Sequence, residues 1–151
     1  MRSNRSNRGF TLVETLVTTA ILVTGLVAVA SLFSWSVATN LTNQQRTAAT
    51  SLMADKMEQF RAVSLSDAMW TAGGSLNVAS PSSGYWDYVT VASDGTITSD
   101  TSSTTAPYIR IWAVSGTTPR TVTIIVYAQK AGLTRTRTEM IRATTMAINS
   151  F

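Results

Sequence analysis

The sequence predicts an α+β protein: a long N-terminal helix packed on a small antiparallel sheet. Three observations predict it. Residues Thr15 to Gln45 carry no charge, and Leu16 to Val37 form a strongly apolar run of 22 residues. A helical apolar period then continues to Val63. From Tyr85 the period shifts towards two, in runs of β-branched and aromatic residues separated by Gly, Pro, Asp and Ser. A helix followed by consecutive strands belongs to the α+β class.

The first element is one helix, or two nearly collinear ones, from about Phe10 to about Val63. At about 1.5 Å per residue, the run Leu16–Val37 spans roughly 33 Å, enough for a hydrocarbon core of about 30 Å. In "NQQRTAATSLMADKMEQFRAVS" (43–64), Ala49, Leu52, Met53, Met57, Phe60 and Val63 form one apolar stripe. Arg46, Asp55, Glu58 and Arg61 lie largely off it. This half is therefore amphipathic and needs a partner surface, whereas the membrane half is apolar all round. Gly73-Gly74 and the run Pro81–Gly84 mark loops, with room for one helical turn at 66–70.

The strand readings follow in order. "YWDYVTVA" (85–92) is a strand, Ser93-Asp94-Gly95 a turn, and "TITSD" (96–100) a short return strand. "TSSTTAP" is a polar loop, and "YIRIWAVS" (108–115) alternates Ile109, Ile111 and Ala113 against Tyr108, Arg110, Trp112 and Val114. "RTVTIIVYAQ" (120–129) is rich in β-branched residues. After a turn at Lys130-Ala131-Gly132, "TRTRTEMIRATTMAI" (134–148) reads as a last, exposed edge strand. Thr134, Thr136 and Thr138 face away from Arg135, Arg137 and Glu139. Short turns between these strands imply an antiparallel meander.

Composition narrows the function. The net charge is +4, but Arg2, Arg5 and Arg8 supply three of those charges. Without the first nine residues the side chains are nearly balanced, so the basic pI gives little support to a nucleic-acid partner. Lys130, Arg135, Arg137 and Arg142 read as a solvated strand face. With no Cys and no His, disulfides, zinc sites built on those residues and Ser-His-Asp or Cys-His catalysis are excluded. Asp94 and Asp100 bracket a Gly-containing stretch and read as turn residues rather than a calcium site. Trp70, Tyr85, Trp86, Tyr88, Tyr108 and Trp112 read as core and sheet packing rather than an adhesive or DNA-binding surface. No metal, cofactor or enzymatic activity is expected.

The informative unit is Arg8-Gly9-Phe10-Thr11-Leu12-Val13-Glu14, set between a basic leader and an apolar helix. The three arginines keep the N-terminus cytoplasmic by the positive-inside rule and send the rest across the membrane. A carboxylate at the mouth of such a helix is a functional candidate by default. The segment resembles the class III signal sequence of type IV pilins and type II secretion pseudopilins. That resemblance implies the pilin fold and cleavage by a prepilin peptidase between Gly9 and Phe10. It implies N-methylation of the new terminus at Phe10, and Glu14 as an assembly and register residue that pairs with a neighbouring subunit's terminus. Its implied partners are the peptidase, other major and minor pilins or pseudopilins, an inner-membrane assembly platform and membrane lipid.

The expected organisation is a leader at 1–9, a membrane-spanning or filament-core helix at 10–38, an amphipathic helix at 39–65 and a globular head at 66–151. The protein is expected in the bacterial cytoplasmic membrane, single-pass with its head outside, and then in an extracellular or periplasmic filament. "MADKMEQFRAV", "YIRIWAV" and "RTVTIIVYAQKAG" resemble V-type minor pilins and the minor pseudopilin I group of type II secretion. Residues 10–63 contain no proline and the chain has no Cys, whereas many major pilins carry a proline in the apolar half and a C-terminal disulfide. Both departures point to a minor subunit. A membrane-anchored or secreted adhesive domain is the alternative from another class. "AVA" (28–30) and "SVA" (36–38) also offer small residues for an ordinary signal peptidase.

Overall fold

The computed structural model describes residues 10–102, 105–130 and 136–147. The leader 1–9 and its Arg2, Arg5, Arg8 and Gly9, together with Ala131–Arg135, lie outside the described residues. The chain divides into two compact units after Thr42.

Helix α1 is continuous from Leu12 to Ala62, 51 residues. In the first unit its apolar side chains, from Leu12 to Leu41, are exposed all round. Hydroxyl residues interrupt the apolar run, yet their polarity is absorbed locally. Thr18, Thr19, Thr24, Ser31 and Ser34 each donate to the carbonyl four residues back, at 2.6–3.1 Å. Such back-bonding lets a helix carry Ser and Thr where no water can solvate them.

The second unit, from Asn43, holds the rest of α1 and a five-stranded sheet. The strands are β1 (Trp86–Val91), β2 (Ile97–Asp100), β3 (Tyr108–Ser115), β4 (Arg120–Lys130) and β5 (Thr136–Ala147). Every neighbouring pair is antiparallel, in the spatial order β2-β1-β3-β4-β5. This corrects the simple meander. β2 does not lie between β1 and β3; it occupies the outer edge, and β3 pairs with β1 instead. Burial gives the reason. β2 is four residues long and mostly exposed, whereas β3 is buried along nearly its whole length and must lie centrally. Residues 101–107 connect them, and seven residues are enough to cross the two strand spacings, about 10 Å, that separate β2 from β3.

The core has two faces. On one, Ala49, Leu52 and Met53 pack on Val89, Tyr108, Val126 and Ala128, while Phe60 joins Trp70, Trp112, Val122 and Ile124. The predicted stripe is thus the buried face of the helix. On the other, Tyr88, Ile109, Ile111, Ile125 and Tyr127 are covered by Leu76, Val78 and Trp86. The segment read only as loop therefore closes a second core layer, and β3 is buried on both sides. Of the six aromatic residues singled out, Trp70, Tyr88, Tyr108 and Trp112 are buried and Tyr85 and Trp86 half-buried.

The end of α1 is tied down by side chains. The Trp70 indole donates to the Phe60 carbonyl at 3.2 Å, satisfying one of the orphan acceptors of the last turn. Its ring meets Phe60 edge-on at 5.0 Å. Arg120 then donates to the carbonyls of Leu65 and Trp70, each at 2.8 Å, fixing the following loop to the start of β4. In that loop Gly74 has φ +92, and a Cβ there would collide with the Trp112 carbonyl, so only glycine fits. The β1–β2 turn closes on Gly95 at φ +86.

Asp94 accepts from the Thr96 amide at 2.9 Å, and Asp100 from the Ser102 amide at 2.9 Å and hydroxyl at 2.7 Å. These bonds hold both carboxyls below the usual Asp range, as turn residues. Among the described residues no group of three acidic side chains could hold a metal. Arg142 forks onto Glu139 on the exposed edge of β5, an arrangement worth little in water. A bulge between Val126 and Tyr127 interrupts the β4–β5 register.

Candidate assembly segment

Phe10 and Thr11 precede the helix, and Thr11 is its N-cap. Its hydroxyl accepts from the Glu14 amide at 3.2 Å, and its carbonyl accepts from the Thr15 amide at 3.1 Å. Glu14 therefore occupies the third helical position. Thr11-Leu12-Val13-Glu14 is the Thr-x-x-Glu spacing of a capping box, with the threonine half of that motif formed. A carboxylate in the first turn is also favoured by the helix dipole. The acid therefore has a local structural reason to stand where it does, which the sequence reading did not see. The Thr-x-x-Glu spacing ahead of an apolar run was the signal for it. Phe10 is 83% exposed and Glu14 is also exposed, so both are accessible at the helix start.

A second cluster was also missed. Arg110, 1% exposed, stands in β3. It forks onto Asp87 at 3.0 and 2.7 Å, and reaches Asp55 at 3.0 Å and the Leu52 carbonyl at 2.8 Å. One guanidinium thus joins β1, β3 and α1. Burial pulls its pKa down, but the hydrogen bonds and charges of Asp87 and Asp55 outweigh this and hold it above the usual value. The clue lay in two largely apolar strands, each with a single charge near its start, the two of opposite sign. Asp87 and Arg110 are direct cross-strand partners.

Lys56 lies in the same interface, buried on the helix stripe rather than off it. Its ammonium sits 3.9 Å from the Trp112 ring centroid and donates to Gln59 at 3.3 Å. Desolvation pushes its pKa down, against the pull of Asp87 and Asp55. The folded state is therefore penalised while Lys56 is charged. That penalty is fully present below the lowered pKa and gone above the ordinary lysine value of about 10.4. The Lys56→Met variant should unfold at a higher temperature than wild type at pH 7. The gap between the two should close as pH rises towards 10, because the wild type gains stability there. Paired thermal melts across that range check it; a destabilised variant, or a pH-independent gap, contradicts it.

The chain is a pilin-like α+β protein: a membrane-length apolar helix whose continuation builds the core against an antiparallel sheet. Residues 4–30 match the family model described as the prokaryotic N-terminal methylation motif. That match, on the segment where the helix begins, supports the chain's place in the type IV pilin and pseudopilin family. No curated protein and no solved structure matches the chain.

Proposed function

We propose that this protein is a non-enzymatic structural subunit of a type IV pilus-like filament, and within that class a minor pilin. The observation that carries the reading is the position of the methylation motif. It ends in the apolar run, and its Gly9-Phe10 step falls immediately before the N-cap of a helix long and apolar enough to cross a membrane. On this reading prepilin peptidase cuts after Gly9 and methylates Phe10. The subunit waits in the bacterial cytoplasmic membrane, N-terminus inside and head outside, until an inner-membrane platform draws it into a filament with other pilins.

Glu14 then acts between subunits. Cleavage creates an ammonium at Phe10, just before the helix and four residues ahead of the carboxylate. The pilin resemblance assigns the pairing to a neighbouring subunit: displaced along the axis, it sets its terminus against this carboxylate, and opposite charges in a low-dielectric core attract far more than in water. The same motif serves type II secretion pseudopilins, which makes that filament the runner-up.

The chain should be recovered in filaments sheared from the surface of its own cells, at a small fraction of the major subunit. Recovery only in periplasmic assemblies of a secreting strain would favour the pseudopilin reading. Retention wholly in membranes, while those cells make filaments, would instead favour an anchored adhesive domain.

A further inference from the structure

We infer that the first unit fits a lipid bilayer at one depth, with Glu14 at one hydrocarbon boundary and Trp35 at the other. This rests on the membrane reading above and adds to it. The carboxylate of the waiting subunit is then not in the hydrocarbon at all.

Four observations converge. First, Glu14 and Trp35 are 21 helical residues apart, about 32 Å at about 1.5 Å per residue, against a hydrocarbon thickness of about 30 Å. Second, the ends differ chemically from the middle. Glu14 lies in the capped first turn, where the unpaired amides of a helix start favour an anion and water can reach both. Trp35 is 73% exposed on the helix, and tryptophan prefers the membrane interface. Third, the polar groups between them are neutral, and Thr18, Thr19, Thr24, Ser31 and Ser34 return their hydroxyl protons to the helix. Fourth, Asn40, Asn43, Gln44 and Gln45 follow Trp35 and precede Arg46, so side-chain amides begin only beyond that boundary.

Sliding the helix either way is unfavourable. One turn in the outward direction takes Glu14 about 5 Å into hydrocarbon and strips its solvated cap. One turn in the other direction buries Trp35 and brings Asn40 towards the boundary. The bilayer midplane therefore falls between Thr24 and Gly25. The carboxylate meets low dielectric only when the subunit leaves the bilayer for a packed core.

The absence of cysteine makes a nitroxide scan direct. Single cysteines at Val13, Leu16, Ala20, Gly25, Ala30 and Ser36 would be labelled in the full chain, reconstituted in dioleoylphosphatidylcholine vesicles. Depth would be read from oxygen against nickel-chelate accessibility. The expected profile is deepest at residue 25, with 13 and 36 both within a few ångströms of the phosphate level. A profile centred near residue 20 or 30, with the label at 13 or 36 buried in hydrocarbon, overturns the depth assignment while leaving the membrane reading intact. Labels in water throughout would overturn both. Six sites define the profile, so one label that perturbs the helix start does not decide the result.

Discussion

Replacing Arg110 with alanine should cost the folded head about 3–5 kcal/mol, the range for leaving a buried charge without its partner. The melting temperature should fall by on the order of 10–25 °C for a unit of this size. The reason is the arrangement, not the count of bonds. Asp87 is 7% exposed and directly opposite Arg110 in the sheet, so the variant strands a carboxylate in the core. The Leu52 carbonyl and Asp55 lose their shared donor at the same step. Arg110→Lys should rescue little, because a single ammonium cannot reproduce a planar fork aimed at two carboxylates and a carbonyl. The double variant Arg110→Met with Asp87→Leu should recover much of the loss, because it removes both buried charges. Thermal melts of the full chain in detergent check all three. A single variant that melts near wild type would mean that water reaches Asp87.

The Glu14→Ala variant should still enter the membrane and fold, yet fall at least tenfold in sheared filaments. Two unit charges about 4 Å apart attract by about 4 kcal/mol at an effective dielectric of about 20, so loss of the pair is enough to exclude a subunit from a competitive assembly. The alanine also removes the acid from the first helical turn, which by itself weakens the helix start by about 0.3–1 kcal/mol. Glu14→Gln keeps the side chain's size and removes its charge, so it loses the pairing and the dipole interaction alike, and only the first is large enough to act on filament incorporation. Gln should fail as Ala does. A Gln variant that assembles normally would leave Glu14 with a local role in the helix start and no role in pairing.

Much of the fold was legible because local periodicity carries it. The stripe from Ala49 to Phe60 follows the helical repeat, and β3 lies at 108–115 as its composition indicates. The turn at Ser93-Asp94-Gly95 was equally local. The place of β2 was not, because strand order depends on which strand can be covered on both sides, and that is settled by Leu76 and Val78 from a distant loop. Lys56 escaped notice because a charge is read as solvated until a ring such as Trp112 is seen against it. Arg110 and Asp87 are 23 residues apart, and only strand register joins them. At the N-terminus the motif picks out Phe10 and Glu14 as candidates by spacing alone, while the N-cap role of Thr11 was equally legible in the Thr-x-x-Glu spacing but masked by that motif.

Whether this chain is a processed pilin-type subunit is tested most directly by N-terminal mass spectrometry of the protein from its own cells. A mature chain beginning at N-methylated Phe10, with Glu14 as its fifth residue, is expected. A chain beginning at Ser31 or Thr39 would contradict it, because ordinary signal peptidase would then have removed Glu14 and the apolar helix start.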